Sequence, residues 1–84
     1  MQTTMNLLER ALTTKSIGEW TKELGLSGKA LYNAQYRGHL SPAIAGDIAD
    51  RLGEPMEKWV VIAAAESERD SASKDRLLKK IRNW

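Results

Sequence analysis

Residues 17–38, IGEWTKELGLSGKALYNAQYRG, constrain this chain more than any other stretch. Ile17, Trp20, Thr21 and Leu24 recur at the spacing of one helical face. Gly25 follows at once. A glycine just past the last apolar position enters the left-handed conformation without a Cβ penalty, so the chain can turn sharply there. Leu26 adds an apolar anchor, Ser27 is a polar helix start, and Leu31 and Ala34 form the inner side of a second short helix. Two short amphipathic helices joined at a glycine predict a helix-turn-helix.

The rest of the chain also reads as helix. No segment alternates apolar and polar residues like a half-buried strand, and there is no Asn-Gly or Asp-Gly hairpin signal. A first helix is expected over Thr4 to Thr13, capped by Thr3 or Thr4, with Leu7, Leu8, Ala11 and Leu12 inward. The second, Ile17 to Leu24, opens on a Ser16–Glu19 capping box. The third runs from Gly28 to Tyr36 with Ser27 as its cap and Gly38 at its end. Ser41-Pro42 starts a fourth, which reaches Leu52, buries Ile44, Ala45, Ile48 and Leu52, and stops at Gly53. The fifth begins near Pro55 and continues to about Arg69. After Ser71-Ala72-Ser73, a sixth is expected from Lys74 to Asn83. The expectation is an all-α protein: a compact five-helix domain over 1–70 and a basic amphipathic C-terminal helix within 71–84.

The fifth helix carries more apolar surface than one core needs. Met56, Trp59, Val60 and Ala63 form one stripe, yet Val61, Ile62, Ala64 and Ala65 place apolar groups on the other sides. A second cover must come from the C-terminal tail or from another copy of the chain. Val61, Ile62, Leu77, Leu78, Ile81 and Trp84 are the candidate contacts of a homodimer. The sixth helix admits three readings: docking on the fifth, dimerisation, or a basic arm of Arg76, Lys79, Lys80 and Arg82 touching DNA or a membrane.

Composition narrows the function. With 84 residues there is room for one small domain, and 42% hydrophobic content is enough for one core. There is no cysteine and one histidine, so no metal centre, cofactor site or histidine relay is expected. The chain has no Gly-rich phosphate loop and no carboxylate pair placed around a cleft, so an enzyme, or a small-molecule substrate, is not expected. The N-terminus lacks the basic and apolar regions of a secretory signal. The longest apolar run, Trp59 to Ala65, is far short of the ~20 residues of a membrane span. A soluble cytoplasmic protein is the expectation.

Charge is unevenly placed although the net is only +2. Both flanks are basic and residues 40–70 are acidic. Between Glu23 and Asp47 there is no acid at all. That gap covers the second helix of the motif, where carboxylates would repel phosphates. On that helix Lys29, Tyr32, Asn33 and Tyr36 make a stripe facing away from Leu31 and Ala34. In a major groove, Asn pairs with adenine through two hydrogen bonds, and Lys reaches guanine acceptors or a phosphate. Tyr packs on a thymine methyl or bonds a phosphate. Ser27, Gly28 and Lys29 put no acid in the first turn, where free amides can meet an anion. Arg37 and His39, just past the helix, are expected on phosphates. The expected site is therefore Ser27, Gly28, Lys29, Tyr32, Asn33, Tyr36, Arg37 and His39, and the expected partner is double-stranded DNA. The rival is a protein-interaction module that uses the same helices, or the acidic 40–70 surface, to hold another regulator or a polymerase subunit.

Residues 5–69 resemble the phage repressor and Cro-type family of helix-turn-helix proteins. The resemblance lies in Trp20-Thr21, Leu24-Gly25-Leu26-Ser27, Leu31, Ala34, Tyr36-Arg37-Gly38, Ser41-Pro42 and Ile48-Ala49-Asp50-Arg51-Leu52-Gly53. It implies a lambda-repressor-like five-helix fold, a third helix in the major groove, and dimers on operator DNA. Two positions depart from the family pattern. Ile17 stands where a phosphate-contacting Gln is common, and Thr21 where Ala is usual at the helix crossing. The pairing of the IADRLGEP block, residues 48–55, with the ESERDSASKDRLL tail, residues 66–78, also resembles small phage-related proteins.

Overall fold

The computed structural model describes residues 2–82 and 84, and the regular structure among them is entirely helical. The elements are α1 (Thr4–Leu12), α2 (Ile17–Leu24), α3 (Ala30–Arg37), α4 (Pro42–Arg51), α5 (Met56–Ser67) and α6 (Ala72–Ile81). No helix among the described residues is long and apolar enough to cross a membrane.

Local chemistry explains most of the boundaries. Thr3 caps α1 and is capped in return: Asn6 N–H donates to its hydroxyl at 3.2 Å, and its own N–H donates to the Asn6 side chain at 3.0 Å. Ser16 and Glu19 form the expected reciprocal box at the start of α2. At the other end of α2, Gly25 sits at φ 65°, ψ 34°. Its N–H donates to Lys22 O at 3.2 Å and Leu26 N–H donates to Thr21 O at 3.0 Å. This is the pairing that satisfies the last carbonyls of a helix while redirecting the chain. Gly25→Val would force a β-branched residue into that conformation. It is expected to destabilise the fold by about 1–2 kcal/mol, read as a lower melting temperature. An unchanged melting curve would show that the turn is dispensable.

Two helix starts differ from the sequence reading. The third helix begins at Ala30 rather than Gly28, and Ser27 is not its side-chain cap. Lys29 occupies the cap position with no side-chain bond, while Ser27 contributes only its carbonyl, to Ala30 N–H at 3.1 Å. Gly28, a poor helix former, is spent in the turn instead. The sixth helix begins earlier, at Ala72. Ser71, expected to precede the helix without a role in it, caps it by accepting from Lys74 N–H at 3.1 Å.

The core is continuous. α4 packs along α5, α1 lies against both, α3 closes on α2, and α6 rests on α5. Leu7, Leu8, Trp20, Leu31, Leu40, Ile48, Trp59 and Ile62 are the largest buried apolar side chains. The Trp20 indole N–H donates to Ala11 O at 2.8 Å, which ties α2 to α1.

The second cover of α5 comes from the same chain. Ile81 on α6 is 2% exposed and belongs to the common core, and Ile62 is 1% exposed. Both are therefore withdrawn from the candidate dimer contacts: their side chains are already enclosed. Val61, Leu77 and Leu78 are half-buried against the core, and Trp84 is 47% exposed.

One polar cluster links distant parts of the fold. Thr4, the first residue of α1, is fully buried. Its hydroxyl donates to one oxygen of the Glu66 carboxylate and accepts from Leu40 N–H at 2.9 Å, while its own N–H donates to the other Glu66 oxygen at 2.9 Å. The C-terminal part of α5 thus supplies the carboxylate that α1 lacks in its own first turn, where the helix dipole favours negative charge.

Candidate functional site

α3 is held by Leu31 and Ala34, both fully buried. With these turned inward, helical periodicity puts Lys29, Tyr32, Asn33 and Tyr36 on the opposite side. All four are exposed, Tyr32 at 57% and Tyr36 at 95%. Tyr36 stands at the crest of that face and takes no part in closing the core against α4.

The remaining expected site residues surround this face. Ser27 and Gly28 are exposed in the turn before α3. Arg37, the last residue of α3, is exposed and its guanidinium donates to His39 O at 3.4 Å. Gly38 ends the helix at φ 88°. His39 is half-buried, and its Nδ1 is enclosed without a hydrogen-bond partner among the described residues. Leu40 follows it into the core, so the loop after α3 is anchored within one residue of His39.

Gln35 belongs to the exposed surface and was missed in the sequence reading. It flanks the stripe, one position before Tyr36 and three after Tyr32. Its amide offers the same paired donor and acceptor as Asn33. The signal was its exposure on a helix whose inner side needs only Leu31 and Ala34.

The neighbouring acids are engaged elsewhere. Glu23 on α2 is hydrogen-bonded and ion-paired to Lys15 and bridges to Arg51 at 3.2 Å. The Lys15 hydrogen bond, with the charges of Lys15 and Arg51, holds its carboxyl below the usual carboxylate range. Glu19 is also held below that range, first by the Ser16 backbone N–H, then by the Ser16 hydroxyl. Away from this surface, Glu54 is lowered chiefly by the Trp59 indole N–H at 3.2 Å, with Arg10 adding to it. All three carboxylates are therefore charged at neutral pH, and those nearest α3 lie on α2. α3 itself carries none.

The start of α3 has no side-chain cap. Helix starts leave backbone N–H groups without intrahelical partners, and an approaching anion can take them. The arrangement can therefore bind a polyanion at the start and exit of α3 and present amides and phenols between them. Among the described residues there is no cluster of His, Asp or Glu suited to hold a metal ion. No protein-family model, curated protein or solved structure matches this chain.

Proposed function

We propose that this chain binds double-stranded DNA sequence-specifically, as a transcriptional regulator of the phage repressor and Cro type. In this reading α1 to α5 form the lambda-repressor-like unit and α3 enters the major groove. One observation carries it: the outer face of α3 offers a cation, an amide and two phenols, with a second exposed amide, Gln35, on its flank and no acid on the helix. Asn33 and Gln35 are the candidates for adenine, and Lys29 for guanine or phosphate. Arg37 and His39 take phosphates beside the helix exit, fixing register without specifying sequence. No catalytic role is proposed.

Two copies reading half-sites about one DNA turn apart, roughly 34 Å, would give the affinity one small domain lacks. With Ile62 and Ile81 enclosed, only Val61, Leu77, Leu78 and Trp84 remain of the candidate dimer contacts. That patch is small, so pairing is expected on DNA rather than in free solution.

The test starts from a duplex selected for binding to the full chain. Asn33→Ala is expected to fold normally and lose ~1–3 kcal/mol at one base pair. Lys29→Ala is expected to weaken binding as well, with a salt slope lower by about one unit if its contact is a phosphate. Wild-type binding by both variants would remove α3 from the interface. The rival reading, a protein partner, is favoured by the exposure of Tyr32 and Tyr36, since aromatic side chains anchor protein interfaces. Failure of the wild-type chain to bind any duplex at low salt would favour that partner.

A further inference from the structure

α6 has a groove-side row that points at the exit of α3. Gly38 and His39 share one open groove with Lys74 and Leu78 of α6. Leu77, Leu78 and Ile81 turn toward the core, which fixes how the helix is rotated. Arg82 then lies one turn beyond Leu78 on the same row, and Lys79 stands beside that row. Both are exposed. Lys80 is exposed on the opposite flank, past Leu77.

The charges near this groove separate into two groups. Lys74 is engaged by Glu68 O at 2.9 Å and by Asp70 at 3.6 Å, and Glu66 is bonded to Thr4. Asp75 is the acid of the first turn of α6. Lys79 and Arg82 have no ion-pair partner among the described residues, and neither has Arg37. Arg37, next to the groove-lining Gly38, and Arg82, one turn past the groove-lining Leu78, are therefore unpaired cations beside residues of the groove, with Lys79 alongside Arg82 and the exposed Asp75 one turn before Lys79. Unpaired cations held on a docked helix, rather than on a loose tail, complement a fixed line of phosphates.

We propose that Lys79 and Arg82 grip the phosphate backbone of the same duplex that α3 reads, extending the contacts of Arg37 and His39. The inference rests on the DNA reading above. Such contacts raise affinity and fix orientation without adding sequence discrimination.

Full-length Lys79→Gln, Arg82→Gln and Lys80→Gln each remove one exposed charge. Binding of the selected duplex and of a scrambled one is measured across a salt series. Lys79→Gln and Arg82→Gln are each expected to lower the slope of log affinity against log salt by about 0.9. Lys80→Gln, on the far flank, is expected to change it much less. The preference for the selected duplex and the melting temperature should stay as in the wild type for all three. Equal slopes for all three variants, with the wild type binding DNA, would overturn the grip of α6 and leave the α3 reading standing. A wild-type chain that binds phosphatidylserine–phosphatidylcholine vesicles but no duplex would overturn both.

Discussion

Thr4→Val is expected to lower the unfolding free energy by about 2–4 kcal/mol. Valine keeps the shape of threonine and removes only the hydroxyl. That hydroxyl makes two bonds at once: it donates to Glu66 and accepts from Leu40 N–H at 2.9 Å. Without it, the Leu40 amide is left unpaired in a place water does not reach, since Leu40 is fully buried. An orphaned buried donor loses about 1–3 kcal/mol, and the lost bond to the Glu66 side chain adds about as much. Glu66 keeps its bond from Thr4 N–H, which limits the total. For a domain of this size the loss corresponds to a fall in melting temperature of about 10 °C or more. Thr4→Ser, which retains the hydroxyl, should lose far less. Amide exchange at Leu40 should accelerate in the valine variant beyond the change at core amides such as that of Ile48. A valine variant within about 0.5 kcal/mol of the wild type would show that the hydroxyl does not hold these elements together. The consequence reaches α3, because Leu40 lies two residues past the glycine that ends it.

The extent to which the sequence anticipated this structure follows the range of the interactions. α2 was legible to the residue because its start and stop are encoded within a few positions: Ser16 with Glu19, and Gly25 with the carbonyls one turn back. Ser41 and Pro42 marked α4 for the same reason. The excess apolar surface of α5 correctly announced a second cover, and the packing of Ile81 shows that the tail supplies it in the same chain. The choice between tail and partner was not legible, since Leu77 and Ile81 have the same spacing in either case. Ser27 misled because it looks like a cap, yet Gly28 disfavours helix at the next position and the start moves to Ala30. Ser71 was passed over for the opposite reason, because Ser73 in the same Ser-Ala-Ser run is an equally good start for a helix at Lys74. The Thr4–Glu66 pair lay beyond the pattern altogether. Its members are separated by 62 residues, and each has a more ordinary reading alone, Thr4 as a cap and Glu66 as a solvated acid. At the candidate interface the outward stripe followed from periodicity. Gln35 was lost because its place on the flank of that stripe depends on how α3 rolls against α2.

Gly46→Leu is expected to destabilise the protein by about 3 kcal/mol. A glycine in the middle of a helix is itself unfavourable by about 0.5–1 kcal/mol relative to alanine, and no periodicity in the sequence explains its presence in α4. The packing does. Gly46 is buried, and a Cβ built there would lie 2.7 Å from Val60 Cγ2 and 3.2 Å from Met56 Cγ on α5. The first distance is too short for any real contact, so α4 and α5 approach as closely as they do because this side chain is absent. Even alanine must push Val60 aside. Its better helix propensity offsets part of that strain, so Gly46→Ala should be destabilising by only about 1 kcal/mol. Val60→Ala removes the obstructing methyl and leaves a small cavity of its own. If the short approach is what forbids a side chain at 46, the double variant Gly46→Ala/Val60→Ala is expected to be more stable than the sum of the single changes. The coupling should be on the order of 1 kcal/mol, as for residues in direct contact. Urea unfolding of the four chains of this cycle measures it directly. A Gly46→Leu variant that unfolds like the wild type, or singles that simply add, would mean that the two helices have room between them and that the glycine serves no packing purpose.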